Sequence, residues 1–229
     1  GMWRYNSDGI DLFNCRNAVI KNSFLRNFDD CMVIKGIVGW DKNNNENILV
    51  ENLVIWCDWG SALEVGAETN APEYNNIIFR NCDVIHGQSA IMRLHHHNRA
   101  HIKNVIYDGI NAEYTKYQLP GKLIEEGKEY DGKENEGHPG LIVFIIVNDG
   151  LYGKEKLPGT IEGVKVINTR VYKDGEVPDP YSVFYGADEE HKVKDVLVKN
   201  VYINGEKSKD YGKNFQDMRF TENIKYEIS

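Results

Sequence analysis

No apolar run in this chain approaches the roughly 18 residues a membrane-spanning helix needs, and no signal-peptide pattern opens it. The longest apolar stretch, Leu141 to Val147, suits a buried strand. A basic surplus is also missing. The 27 Lys and Arg against 35 Asp and Glu give a formal charge of −8 and a pI near 5.4, which excludes the positive footprint of a nucleic-acid binder. Acidity of this size is mostly solvated surface and selects no substrate. Four cysteines at irregular spacing are too few for a disulfide scaffold and lack zinc-site spacing. Helical periodicity is absent too, since no stretch of about 11 or more residues repeats apolar positions at 3.6 with caps. The opening Gly1-Met2 reads as a scar of expression, so a native start and any export signal are expected to lie outside this sequence.

What is present is a repeat. Apolar alternation, Asn, then apolar alternation recurs as NAVIKNSFL (17–25), NILVENLVI (47–55), NIIFRNCDV (76–84), NVIYDGI (104–110), GVKVINTRV (163–171) and DVLVKNVYI (195–203). The anchors Asn22, Asn52, Asn81, Gly109, Asn168 and Asn200 stand 30, 29, 28, 59 and 32 residues apart. Because 59 is close to two repeats, LIVFIIV at 141–147 is expected to fill a vacant rung. One unit cannot bury its apolar face alone, but stacked units can, with Ile20, Val50, Phe79 and Val198 turned inward. Asn at a corner tolerates left-handed backbone and can bond to Asn on the next rung. These features predict an all-β fold, a right-handed single-stranded parallel β-helix, over residues 1–229 as a single domain. A leucine-rich repeat would need a Leu ladder that is not there. Residues 41–46 (DKNNNE) are expected to form a polar loop, and residues 115–140 a long surface loop.

Polar residues fall on the same period. Asp8 precedes Asp29 by 21 residues and Asp30 by 22, while Asp30 precedes Ser61 by 31 and Ser61 precedes Arg93 by 32. With rungs about 4.8 Å apart, these side chains should form one column on one outer face. Adjacent strand residues point to opposite sides, so Asp29 and Asp30 can both face it only where the chain bends. Three carboxylates this close raise one another's pKa, which is how a site keeps one acid protonated beside ionised neighbours. Glycoside hydrolysis requires that division of labour; the plainer reading is that Asp8 and Asp29 cap turns.

The stretch NSDGIDLFNCRNAVIKNSFLRNFDDCMVIKG (6–36) resembles glycoside hydrolase family 28, the polygalacturonase family, within the pectin lyase-like β-helix superfamily. That family shows NTDGID, then GDDC followed by an apolar strand and Lys. The counterparts here are Asn6-Ser7-Asp8-Gly9-Ile10-Asp11 and Phe28-Asp29-Asp30-Cys31, at the family's distance. The resemblance implies that Asp29 is the general acid and that Asp8 and Asp30 hold and activate the attacking water, with inversion. It implies a polysaccharide substrate, secretion or a periplasmic location, no cofactor and no metal. It also leaves Cys31 and Cys57 as either a disulfide or two buried thiols. Several N-terminal rungs of the family are absent before Asp8, so self-association through exposed end rungs is expected.

Two departures shape the substrate expectation. Gly60-Ser61-Ala62 stands where the family has GHG, and Arg93-Leu94-His95 where it has Arg-Ile-Lys, the pair that holds the sugar-acid carboxylate. A neutral polysaccharide or a different uronide linkage therefore competes with polygalacturonate. Glu64 could supply a replacement carboxylate, though strand alternation puts it opposite Ser61. Trp59 and Trp56 are candidate sugar platforms or packing residues. His95, His96 and His97 lack a third ligand for zinc, which leaves His95 as a substrate contact. The rival functions are a non-catalytic carbohydrate-binding β-helix and a polysaccharide lyase on the same fold.

Overall fold

The computed structural model describes residues 6–116, 121–122, 134–135, 138–147, 149–152 and 157–229. It is a right-handed parallel β-helix whose strands stack in chain order. One sheet has seven strands: Ile10–Phe13, Met32–Gly36, Ser61–Thr69, Ala90–His96, Gly140–Ile146, Ser182–Tyr185 and Phe215–Arg219. A second has twelve, in which Arg16–Asn27 pairs with Asn45–Cys57, and Gly121–Lys122 pairs antiparallel with Glu134–Asn135 in a separate two-stranded sheet. Among the described residues the only helical turn is the short 3-10 segment Tyr211–Asn214, and no helix is long and apolar enough to cross a membrane.

The corners explain why this sequence coils. Asn22, Asn52, Asn81, Asn168 and Asn200 have φ between 52° and 57°, and Gly109 has φ 68°. A single left-handed residue bends a strand without ending it. Asn45–Cys57 turns such a corner at Asn52: its first half pairs with Glu73–Arg80 and its second with Asp83–His86. The side chains then bond from rung to rung, Asn52 Nδ2 donating to Asn22 Oδ1 at 3.1 Å and Asn47 Nδ2 to Asn17 Oδ1 at 3.1 Å.

Inside the coil, identical register positions stack into ladders. Ile20, Val50, Phe79, Tyr107, Val166, Val198 and Tyr226 occupy one such position on successive rungs. Val50, Phe79, Tyr107, Val166 and Val198 are wholly buried, and Phe79 stacks on Tyr107 with ring centroids 4.7 Å apart. Each such side chain contributes about 1.5–3 kcal/mol by leaving water. Ile20, on the outermost rung, is only partly covered.

Two expectations need correction. The 59-residue interval holds no extra rung: Gly109 N–H donates directly to Ile167 O at 3.0 Å, and Asp108 pairs with Ile167. The strand Gly140–Ile146 belongs to that same coil, pairing with Ala90–His96 on one side and Ser182–Tyr185 on the other. Most of the expected surface loop at 115–140 lies outside the described residues. Nor is 41–46 loop throughout, because Asn45 and Glu46 open a strand, and buried Asn45 accepts from Cys15 N–H at 2.8 Å while donating to Lys35 O at 2.9 Å.

Candidate active site

The seven-stranded sheet carries one polar column through its middle. Asp11, Val33, Glu64, Arg93 and Val143 share a register position on successive strands. Asp29 and Asp30 lie in the bend between Asn27 and Met32, where strand alternation does not apply, so both reach the same cleft. Gly60 allows the next rung to come close. A Cβ there would stand 2.5 Å from the Asp30 nitrogen, so a side chain would push the rung off the carboxylates.

The cleft holds about 230 Å³ and is lined by Asp8, Asp29, Asp30, Lys35, Trp59, Glu64, Glu68, Arg93, His95 and Tyr152, among others. Lys35 is its hub: Nζ lies 2.6 Å from Asp8 Oδ2, 3.4 Å from Asp11 Oδ2 and 3.9 Å from Glu68 Oε2. Although burial works against its charge, these carboxylates raise the Lys35 pKa above the ordinary lysine range. Asp29 Oδ2 accepts from Asn6 N–H at 3.0 Å and Oδ1 from Asp30 N–H at 3.1 Å. Burial nevertheless raises the Asp29 pKa, with the Asp8 charge adding to it. Asp30 Oδ1 accepts from Ser61 N–H at 2.8 Å, yet burial and then the Glu64 charge push Asp30 well above the usual carboxylate range.

Glu64 behaves oppositely. Only 2% exposed, it would be pushed up by burial, but Arg93 and then His95 outweigh that and hold it at about 2. Arg93 Nη1 donates to Ser61 Oγ and Ser89 Oγ, each at 3.2 Å. His95 Nδ1 lies 3.5 Å from Glu64 Oε1, and its Nε2 shares a proton with His97 Nε2 at 2.7 Å. Burial and the Arg93 charge lower the His95 pKa, so the ring is neutral at pH 7.

A bulge completes the wall. Ile34 pairs with Val65, but Gly36 pairs with Thr69, so two extra residues are accommodated on the longer strand. Gly66 takes φ 118°, and a Cβ there would collide with the His95 carbonyl oxygen. The extra length carries Ala67 and Glu68 to the cleft.

The structure thus brings Asp8, Asp29, Asp30, Trp59, Glu64, Arg93 and His95 to one cleft, with Ser61 buried beneath it. Glu64 does not stand opposite Ser61: the Ser61 hydroxyl lies near enough to help lower the Glu64 pKa, after Arg93 and His95. Ser61 opens its strand directly after the Gly60 bend, where alternation has not yet set in. Trp59 stacks on Phe28 with centroids 5.8 Å apart and faces the cleft. Trp56 instead stacks on His86 at 4.9 Å beneath Arg26 and takes no part in the lining. Cys31 and Cys57 are free, buried thiols. Sequence reasoning gave no role to Lys35, Glu68 or Tyr152. Only Lys35 had a signal, as the basic residue following the Asp29-Asp30 strand.

Comparison with known proteins bears on the same stretch. The model of the family described as Glycosyl hydrolases family 28 matches residues 4–136. A probable endopolygalacturonase D of Emericella nidulans is 24% identical over 143 residues, 61% of this chain and 25% of that protein. An exopolygalacturonase of Cochliobolus carbonum is 36% identical over 80 residues, 33% of this chain and 16% of the relative. Exopolygalacturonase X-2 of Emericella nidulans is 34% identical over 76 residues, 33% of this chain and 15% of its own length. The aligned part spans a quarter or less of each of these relatives.

Proposed function

The chain belongs to glycosyl hydrolases family 28, and on that footing we propose that its cleft hydrolyses a glycosidic bond of a polysaccharide with inversion at the anomeric carbon. The carrying observation is that three aspartates share one cleft with unequal partners. Asp29, raised by burial, keeps its proton to the higher pH and gives it to the leaving oxygen. Asp8, its oxygen 2.6 Å from the Lys35 ammonium, is the carboxylate that takes a proton from the attacking water. Asp30, fixed by Ser61 N–H, positions that water between them. Trp59 offers a face on which a pyranose ring can stack.

Activity therefore needs Asp8 ionised and Asp29 protonated. The rate falls on the alkaline side as Asp29 loses its proton, at a pH above the ordinary carboxylate range. The same reading takes residues 1–229 as one β-helix domain working outside the cytoplasm, where polysaccharides are met. The continuous pairing of successive strands through both large sheets supports the domain assignment. A second reading, a carbohydrate-binding β-helix without turnover, is favoured by Asp30, where burial and then the Glu64 charge favour the protonated form and so weaken its hold on water.

Reducing-end release on a polysaccharide panel tests the proposal. Wild type is expected to cut at least one polymer, and Asp29→Asn to lower kcat by about 10²–10⁴. Retained glycan binding with no release by either protein supports the second reading and rejects the first.

A further inference from the structure

We propose that Glu64 makes the sugar site beside Arg93 a site for an uncharged pyranose, either a neutral sugar or an esterified uronic acid, and not for a free uronate. The inference rests on reading this cleft as a glycan site. Among the described residues Arg93 is the one guanidinium in the lining, and it is the natural partner of a substrate carboxylate. Its neighbour in register is Glu64, 2% exposed, so a buried protein carboxylate sits on the adjacent rung within electrostatic reach of that charge, while Arg93 Nη1 itself donates to Ser61 and Ser89. Arg93 exerts the strongest stabilising pull on the Glu64 carboxylate, ahead of His95. The second candidate cation, His95, is neutral at pH 7 because burial and Arg93 both oppose its protonation.

Among the described residues the rest of the cleft offers no replacement. Lys35 already faces Asp8, Asp11 and Glu68. The lining sets Asp8, Asp29, Asp30, Glu64 and Glu68 against Lys35 and Arg93. A free uronate at Arg93 would bring another like charge into a partly dehydrated site, where repulsion is screened far less than in water. A hydroxyl, by contrast, both donates and accepts, and Glu64 with Arg93 supplies the matching acceptor and donor. An ester or primary alcohol therefore fits where a carboxylate is repelled.

Calorimetric titration tests this with oligosaccharides prepared in three matched forms: free uronate, methyl ester and carboxyl-reduced alcohol. Each is titrated into wild type and Glu64→Gln, with reducing-end release followed in parallel. Wild type is expected to bind an uncharged form at least about tenfold more tightly than its matched uronate, a preference that needs no variant to observe. Glu64→Gln is expected to shrink that ratio to about threefold or reverse it. The ester and alcohol arms show which uncharged group is taken. A wild-type preference for free uronate, a ratio unmoved in a folded Glu64→Gln protein, or binding of no form would overturn the inference. Uncharged preference without bond cleavage would reject hydrolysis and leave the role of Glu64 standing, whereas cleavage with uronate preference would do the reverse.

Discussion

The two sheets obey one register yet spend their side chains differently. On the twelve-stranded sheet, inward positions are aliphatic or aromatic from rung to rung, and corner amides bond to one another. On the seven-stranded sheet the inward ladders, such as Ile34, Val65, Leu94 and Phe144, are apolar too, but the position facing the cleft runs Asp11, Val33, Glu64, Arg93, Val143. There, Asp11 Oδ1, Glu64 Oε2 and Arg93 Nε are buried without a protein hydrogen-bond partner. Unmade hydrogen bonds of buried polar groups cost stability. The contrast teaches that inward ladders of both sheets hold the coil together while the outer face of one of them carries a charged cleft that opposes it. A parallel coil permits this because each rung is fixed by its neighbours on every face at once.

The comparison is broken most severely at Lys35. Replacing it with Met leaves Asp8, Asp11 and Glu68 without their shared cation. Removal of one partner from a largely buried charge cluster is expected to cost about 3–5 kcal/mol in denaturant unfolding and to abolish activity. An unchanged midpoint would show that the cluster is well solvated. On the opposite sheet, Phe79→Ala opens a cavity between Val50 and Tyr107 and is expected to cost about 3–5 kcal/mol, with binding of glycan retained in the folded fraction. Loss of binding without loss of stability would contradict the division between inward ladders and outer cleft.

The corners give a smaller effect. Asn52→Ala places a Cβ residue without a compensating amide at φ 55° and removes the bond to Asn22, for an expected 1–2 kcal/mol, about the cost of left-handed backbone. Asn52→Gly should recover the backbone part and leave only the lost hydrogen bond. Equal losses in the two variants would show that the corner does not impose the left-handed conformation.

The smallest change has the opposite sign. Burial raises the Asp30 pKa in the folded chain above its unfolded value. The fold then holds this proton more tightly, so stability is full at low pH and declines as pH rises through the raised pKa. Asp30→Asn, which never ionises, is expected to melt with wild type at pH 3 and above it at pH 8. A variant less stable than wild type at pH 8 would show that the Ser61 contact outweighs the buried charge.

Much of the coil was legible because its corners demand particular chemistry. Asn22, Asn52, Asn81, Gly109, Asn168 and Asn200 announce left-handed positions, and every one has positive φ. The aspartates were legible for a similar reason, since their separation follows the coil length. The rest depended on irregularity that period-two reasoning cannot carry. Glu64 meets Ser61 because the strand begins at Ser61, and Glu68 enters the cleft because a bulge at Gly66 adds length. The 59-residue interval misled because one longer coil and an extra rung lengthen the spacing alike. Lys35 became a hub only once Asp8 and Asp11 from the first rung and Glu68 from a later one converged on it.

The central claim is that Asp8 and Asp29 act as base and acid across one bond. Proton NMR of the first product released from the best polysaccharide substrate tests it most directly, by reading the configuration of the newly formed reducing end. Inversion relative to the cleaved linkage is the predicted result. Retention, or the absence of any released reducing end across the panel, would contradict it.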